Sequence, residues 1–465
     1  MLGATLILFA AVCPMQAGDT NQDPTALVVE LGSSRYADRE SAARALERLG
    51  RPALGALRSA RVARDPEVRT RAGILAHKIE SALLTQPSRL RLDFQNAPLS
   101  DVARALSVQT GFRIDLYPYN LTKWRQKRVS LSEPAPVEFW KVIDRLCDLA
   151  GLQYNPSMHS SGGQSEPIFG LTDGIGRTLT PVSDDGPFRV SVLSIDYQRH
   201  LIYAPSGPGL RVPPPPRPAG LEVLPVEAPS APRLNPVTNI QFSVELLVAA
   251  EPRLILSHVG RLQLVEAIDD LGNSLIPDGR SEMIHHAGYL GMATGPVVRV
   301  QAPLRRPDAA GTSIKKLRGF VPLTVSSRRP DPLVVPLGHA VGKSFENEAH
   351  RLTVHDIRPT PTNRNLLVQL SITSTDPDAS SDQIDPDVLV DGFQRADPQH
   401  LQIEVYDTTG RLVPWFQSRT DVETSRFTLT LANQTEISQL KELRFYSLTR
   451  ASVKVPFEFA DIPMP

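Results

Sequence analysis

The sharpest candidate for chemistry is an acidic run, Asp376-Pro377-Asp378-Ala379-Ser380-Ser381-Asp382-Gln383-Ile384-Asp385-Pro386-Asp387. Asp376, Asp378, Ser380, Asp382 and Asp387 put oxygens at positions 1, 3, 5, 7 and 12 of a calcium-loop register. The run departs from that register twice. Ser381 stands where the sharp turn needs Gly, and Asp387 stands where a longer Glu would reach the ion with both oxygens. No helical pattern flanks it, so it reads as an exposed acidic loop without tight calcium binding. The ten His are scattered. In a strand, the adjacent pair His285-His286 would point its rings to opposite faces. His339, His350 and His355 lie near one another, with no carboxylate at ligand spacing. Gly342-Lys343-Ser344 lacks the upstream Gly of a phosphate-cradling loop, and neither His-Glu-x-x-His nor Gly-x-Ser-x-Gly occurs. Cys147 sits on the apolar side of a helical pattern and reads as a small buried hydrophobe. The expectation is a chain with no catalytic residue, no cofactor and no metal site.

Any such residues must be positioned by several separate elements. The 465 residues suit about three or four domains. Fifty basic and fifty acidic residues cancel, which argues against a dominant nucleic-acid footprint. With 41% apolar and 22% charged residues the balance is that of a globular protein. Forty-two Pro disfavour long helices over most of the chain. Ten Arg face five acids between Arg35 and Arg71. Beyond Tyr36 no aromatics interleave to stack on bases, so this reads as a solvated Arg-rich face.

Leu2 to Val12 is apolar and uncharged. It is too short to span a bilayer and suits the apolar region of a signal peptide, with a cut after Ala17. No Lys or Arg precedes Arg35, and Met15 is large for its place before the cut. Cys13 follows the apolar run as an acylated Cys does, but Val12 and Pro14 fit such a site poorly. We expect residues 1–17 to be a signal peptide, no transmembrane segment in the mature chain, and a periplasmic or extracellular location.

Residues 24–84 carry helical periodicity. Ala42, Ala43, Leu46 and Leu49 form one stripe, Gly50 a stop, Pro52 a start, and Asp65-Pro66 a third start. These short hairpins, and the stretch Asp65-Pro66-Glu67-Val68-Arg69, resemble HEAT-type helical repeats. The resemblance covers one and a half to two repeats, whereas such arrays need three or more to stand alone, so the segment should lean on a neighbouring domain or a partner.

Residues 89–155 alternate differently, in the order β-α-β-β-α-β. The string Leu92-Asp93-Phe94-Gln95-Asn96-Ala97-Pro98-Leu99, followed by Gln109-Thr110-Gly111-Phe112-Arg113-Ile114, resembles the short N-terminal domain of secretins and TonB-dependent receptors. Arg128-Val129-Ser130-Leu131 through Ala150-Gly151-Leu152 fits the same family. The resemblance implies a periplasmic, non-catalytic module that makes protein contacts. We expect both its helices, with Leu106 in the core, on one face of one small sheet.

Behind it the pattern is strands and turns. Val265–Gly272 and Ile403–Gly410 both run into Asp-x-x-Gly, a turn signal. Similar strands precede and follow each, down to Val335-Pro336-Leu337 and Val455-Pro456-Phe457. This predicts two Ig-like antiparallel β-sandwiches, 186–337 and 338–465. The Pro-rich stretch 205–236 should be a loop inside the first. The expected fold class is thus multidomain α + β. The expected function is that of an exported, non-enzymatic bacterial envelope protein, structural or protein-binding, with envelope proteins as partners. Two alternatives stay open: a surface glycan-binding protein, which would want exposed Trp and Tyr on one face, and a hydrolase with a site assembled between domains.

Overall fold

The computed structural model describes residues 23–61, 63–158, 168–174, 180–202, 237–277, 295–307, 309–329, 331–347, 350–360, 365–374, 402–421, 426–432 and 436–465. The leading segment 1–17 with Cys13, the Pro-rich stretch 205–236, His285-His286 and the acidic run with Asp376, Asp378, Asp382 and Asp387 lie outside them. The described residues are mixed α/β, with seven α-helices and several sheets.

One unit holds the described residues up to Gln86 together with those of Ser326–Asp331 and Ser447–Ala451. Its helices are α1 (Pro24–Glu30), α2 (Tyr36–Leu49), α3 (Leu54–Ala60) and α4 (Pro66–Thr85). Asp23 and Asp65 cap α1 and α4 by accepting the N–H groups of Thr25 and Glu67, each at 2.9 Å, which satisfies donors that a helix start leaves open. Gly50, at φ 64°, ends α2 where a side chain would be strained. Leu31, Leu46, Leu57 and Ala72 meet in the core. The helices are joined by two further pieces of chain at the buried Glu80 of α4. Glu80 accepts from Arg58 at 2.8 Å, from Arg329 at 3.0 Å and from the Thr449 hydroxyl at 3.4 Å.

The other unit starts at Pro87 with β1 (Arg89–Leu90), β2 (Asp93–Pro98), α5 (Leu99–Thr110), β3 (Arg113–Tyr117), α6 (Leu121–Gln126), β4 (Arg128–Ser132), β5 (Val137–Glu138), α7 (Phe139–Ala150), β6 (Leu152–Tyr154) and β7 (Ile168–Asp173). Both long helices stop on a left-handed glycine, Gly111 and Gly151. Leu106 of α5 and Ile143 of α7 share one core. Two expectations need correction. The strands form three ladders, β1-β5, β2-β4 and β3-β7-β6, rather than one sheet. The module also does not end at 155. β3 and β6 do not pair, and β7 lies between them, parallel to β3 and antiparallel to β6. The reason is apolar. Phe169 of β7 is buried edge-on to Phe139 and Trp140, at ring distances of 5.0 and 5.7 Å. The α6 turn, absent from the expectation, buries Trp124, whose indole donates to the Pro118 carbonyl at 2.9 Å.

Two β runs follow. The first holds β8 (Val182–Asp185), β9 (Phe188–Ile202), β10 (Val237–Ala250), β11 (Ile255–Val259), β12 (Gln263–Asp269), β13 (Val297–Leu304) and β14 (Ser313–Arg328). Then come β15 (Leu333–Pro336), β16 (Ser344–Glu346), β17 (His350–Pro359), β18 (Leu366–Ser374), β19 (Ile403–Asp407), β20 (Trp415–Asp421), β21 (Arg426–Leu431), β22 (Leu440–Phe445) and β23 (Leu448–Pro463). The order β13-β10-β9-β8 matches β21-β18-β17-β16, with β20 added outside β21. Likewise β12 pairs β14 as β19 pairs β22, and both ladders shift register one residue before the Asp. Asp269 accepts from the N–H groups of Leu271 and Asn273, and Asp407 from those of Thr409 and Arg411. Gly272 and Gly410 follow at φ 86° and 81°. The Pro-rich stretch connects β9 to β10, neighbours that pair up to Ile202–Val237.

The boundary expected at 337 is also corrected. β15, with Val335 opposite Leu443, belongs beside β22, and β23, with Val455, belongs beside β14. The second run is therefore inserted between the last two strands of the first. Between Leu333 and Phe445 two sheets share one core, with Val335, Val405 and Leu443 from one and Val354, Leu370 and Leu429 from the other.

Candidate functional site

An open groove lies on the helical hairpins. Its volume is about 720 Å³, and its walls include Val28, Val29 and Gly32 on one side and Ala56, Ala60 and Ala63 on the other. Val28 and Val29 belong to α1 and Ala56 and Ala60 to α3, while Gly32 and Ala63 lie just beyond the two helices. Small side chains keep the floor low. Gly32 has to be small, because a Cβ there would come within 2.8 Å of Val68 Cγ2. Val29 is 73% exposed on its wall. Arg64 and Asp65 stand at the rim, Asp65 already engaged in capping α4. An open trough walled by small and apolar side chains suits the ridge of another α-helix. Its lining offers the hydroxyls of Thr25 and Ser59 and no acid–base pair beyond the rim.

The most charged interior point joins α7 to β8 and β9. Arg189, 4% exposed, grips two carboxylates bidentately. It donates to both oxygens of Asp144 at 2.7 and 2.8 Å and to both oxygens of Asp184 at 2.7 Å. Its guanidinium lies 4.6 Å from the Trp140 ring centre, and the indole of Trp140 donates to the Pro187 carbonyl at 3.0 Å. Burial opposes the charge on Arg189, and the bonds to Asp184 and Asp144 more than restore it, raising its pKa. A cavity of about 40 Å³ beside it is lined by Cys147, Tyr154 and Ser191. Burial pushes the Cys147 thiol up to about 12, with Asp144 adding to the effect, so the thiol stays protonated and unreactive at neutral pH. A second buried carboxylate, Glu251, accepts from the Ser88 N–H at 2.8 Å and from Arg253 at 2.7 Å. Both arrangements are filled from within and act as joints.

The His residues singled out above go to separate tasks. His339 ends a short 3-10 turn. The His350 ring meets Phe445 edge-on at 5.0 Å. His355 Nε2 is 2.8 Å from Ser371 Oγ, and burial, then Arg426, holds its pKa below the usual value. Gly342 donates its N–H to the Val354 carbonyl at 2.8 Å, and Ser344 begins β16. Trp124, Trp140 and Trp415 are all buried. That leaves a glycan reading without tryptophan platforms among the described residues. Among those residues no helix is long and apolar enough to cross a membrane, and no three His, Cys, Asp or Glu side chains converge as metal ligands. Sequence reasoning missed Arg189, whose partners lie 45 and 5 residues away. It also missed the groove, although the Gly and Ala spacing that lines it is visible in the chain. No family model matches the chain, and neither a curated protein nor a solved structure matches it.

Proposed function

We propose that the chain is an exported, non-enzymatic bacterial envelope protein that acts as a structural or protein-interaction module, taking a helical segment of a partner in the α1/α3 groove. The observation that carries this reading is the open apolar groove with Val29 exposed on its wall. Its layout is a HEAT-like segment, a module resembling the secretin and TonB short N-terminal domain now extended to β7, and two nested Ig-like sandwiches. The apolar start of the chain, ahead of Ala17, supports export to the periplasm or beyond. A photo-crosslinking residue at Val29, used in producing cells, should yield a discrete adduct in the envelope fraction that Ala56→Glu removes. No adduct, or one indifferent to Ala56→Glu, refutes docking there. Mass spectrometry finding an intact Met1 in the cytosolic fraction refutes export.

A further inference from the structure

The charged members of the α1/α3 groove are gathered at one end. Gly32, just past α1, packs against the start of α4: a Cβ there would sit 3.3 Å from Asp65 Oδ2 as well as against Val68. Ala63, Arg64 and Asp65 close the other wall at that same end. The acceptors of this turn are already taken. Arg69 donates to the carbonyls of Ala63 and Arg64 at 2.8 and 3.0 Å, and Asp65 Oδ1 accepts the Glu67 N–H at 2.9 Å. The acids nearby are claimed as well, since Glu67 and Glu40 both hold Arg71, at 2.6 and 3.1 Å. Arg64 itself is exposed, and among the described residues its guanidinium has no acidic partner. Val28, Val29, Ala56 and Ala60, which line the rest, are apolar. A helix lying in the groove would strip water from Arg64, and a charge so covered needs an anion. A carboxylate answers it with two parallel N–H···O bonds. Resting on the reading that the groove takes a partner helix, we propose that this helix is acidic at one end. An apolar ridge at three- and four-residue spacing lies against α1 and α3, and an Asp or Glu follows it opposite Arg64. Arg64 then sets which helices are accepted and which way round they lie. A reversed helix would bring its carboxylate to the Thr25 end, beside Asp23.

The test uses the full-length chain with a photo-crosslinking residue at Val29, in producing cells, and sequences the cross-linked partner peptide by mass spectrometry. The expected peptide holds an apolar helical stripe with an Asp or Glu within one turn of its end. Arg64→Glu, which sets like charges together, should cut the adduct by about tenfold or more, and Arg64→Ala should cut it less. Changing the partner's carboxylate to Lys should restore the adduct to the Arg64→Glu chain. Thermal melts guard against misfolding, and Arg64→Ala decides if the Glu variant melts early. An adduct that Ala56→Glu removes but both Arg64 variants leave unchanged means that the groove takes a helix and that the acidic end is overturned. A peptide with no carboxylate at that place, or a charge swap that restores nothing, overturns it too. If the parent chain gives no adduct, docking in the groove fails and this inference falls with it.

Discussion

Arg189→Met tests the buried joint directly. The change keeps length and apolar contact with Trp140 and deletes a guanidinium that holds four carboxylate oxygens at 2.7 to 2.8 Å. Asp144 and Asp184 then lose the guanidinium that lies between them. Breaking one side of a buried pair costs about 3–5 kcal/mol. We expect the lower end, about 3 kcal/mol, because the Asp184 side chain is 29% exposed and water recovers part of the loss. Arg189→Lys keeps the charge but cannot bind two carboxylates bidentately, so it should fall between parent and Met. Replacing Arg189, Asp144 and Asp184 together with Met, Leu and Leu should restore much of the stability, since the desolvation cost disappears with the charges. Urea titration followed by Trp fluorescence reads all three. A loss below about 1 kcal/mol for Arg189→Met would put the cluster in the range of surface ion pairs and refute the reasoning.

Leu106 is fully buried on α5, so Leu106→Asp should unfold the 89–173 region, seen as loss of near-UV dichroism from Trp124 and Trp140. Asp407 is held below the usual carboxylate range by the Thr409 hydroxyl and the Arg411 N–H. Its contribution is present above the unfolded value near about 3.9 and fades as pH falls through the lower folded value. Asp407→Asn should therefore destabilise at pH 7, and the gap to the parent should close on acid titration. Deleting Gly207 to Pro232 should leave the melting temperature nearly unchanged, because loop closure depends weakly on length; a drop of several degrees would show that the stretch packs.

Local chemistry was legible wherever it acts over one element. Asp65-Pro66 and Gly50 mark helix ends, Gly111 and Gly151 mark stops, and the paired Asp-x-x-Gly turns revealed their shared hydrogen bonding. What escaped was pairing at long range. β7 fits between β3 and β6 because Phe169 fills an aromatic gap, and nothing within 168–173 announces that neighbour. The two Val-Pro strands look alike in sequence, yet β15 pairs with β22 and β23 with β14, each across to the other run. A strand's sequence states which face is apolar and leaves its partner open. Arg189 likewise looks like any surface Arg until Asp144 is brought to it.

The insertion of the second run between β14 and β23 also sets a clock on synthesis. β14 leaves the ribosome well before β23. At about 5–20 residues per second, the roughly 120 residues between them take on the order of 6–24 seconds. Over that time β14 presents an unpaired edge, the kind of surface that recruits stray strands. A chain cut anywhere before β23 keeps that edge bare permanently. Protection of the β14 edge is therefore a task the fold defers until β23 has been made.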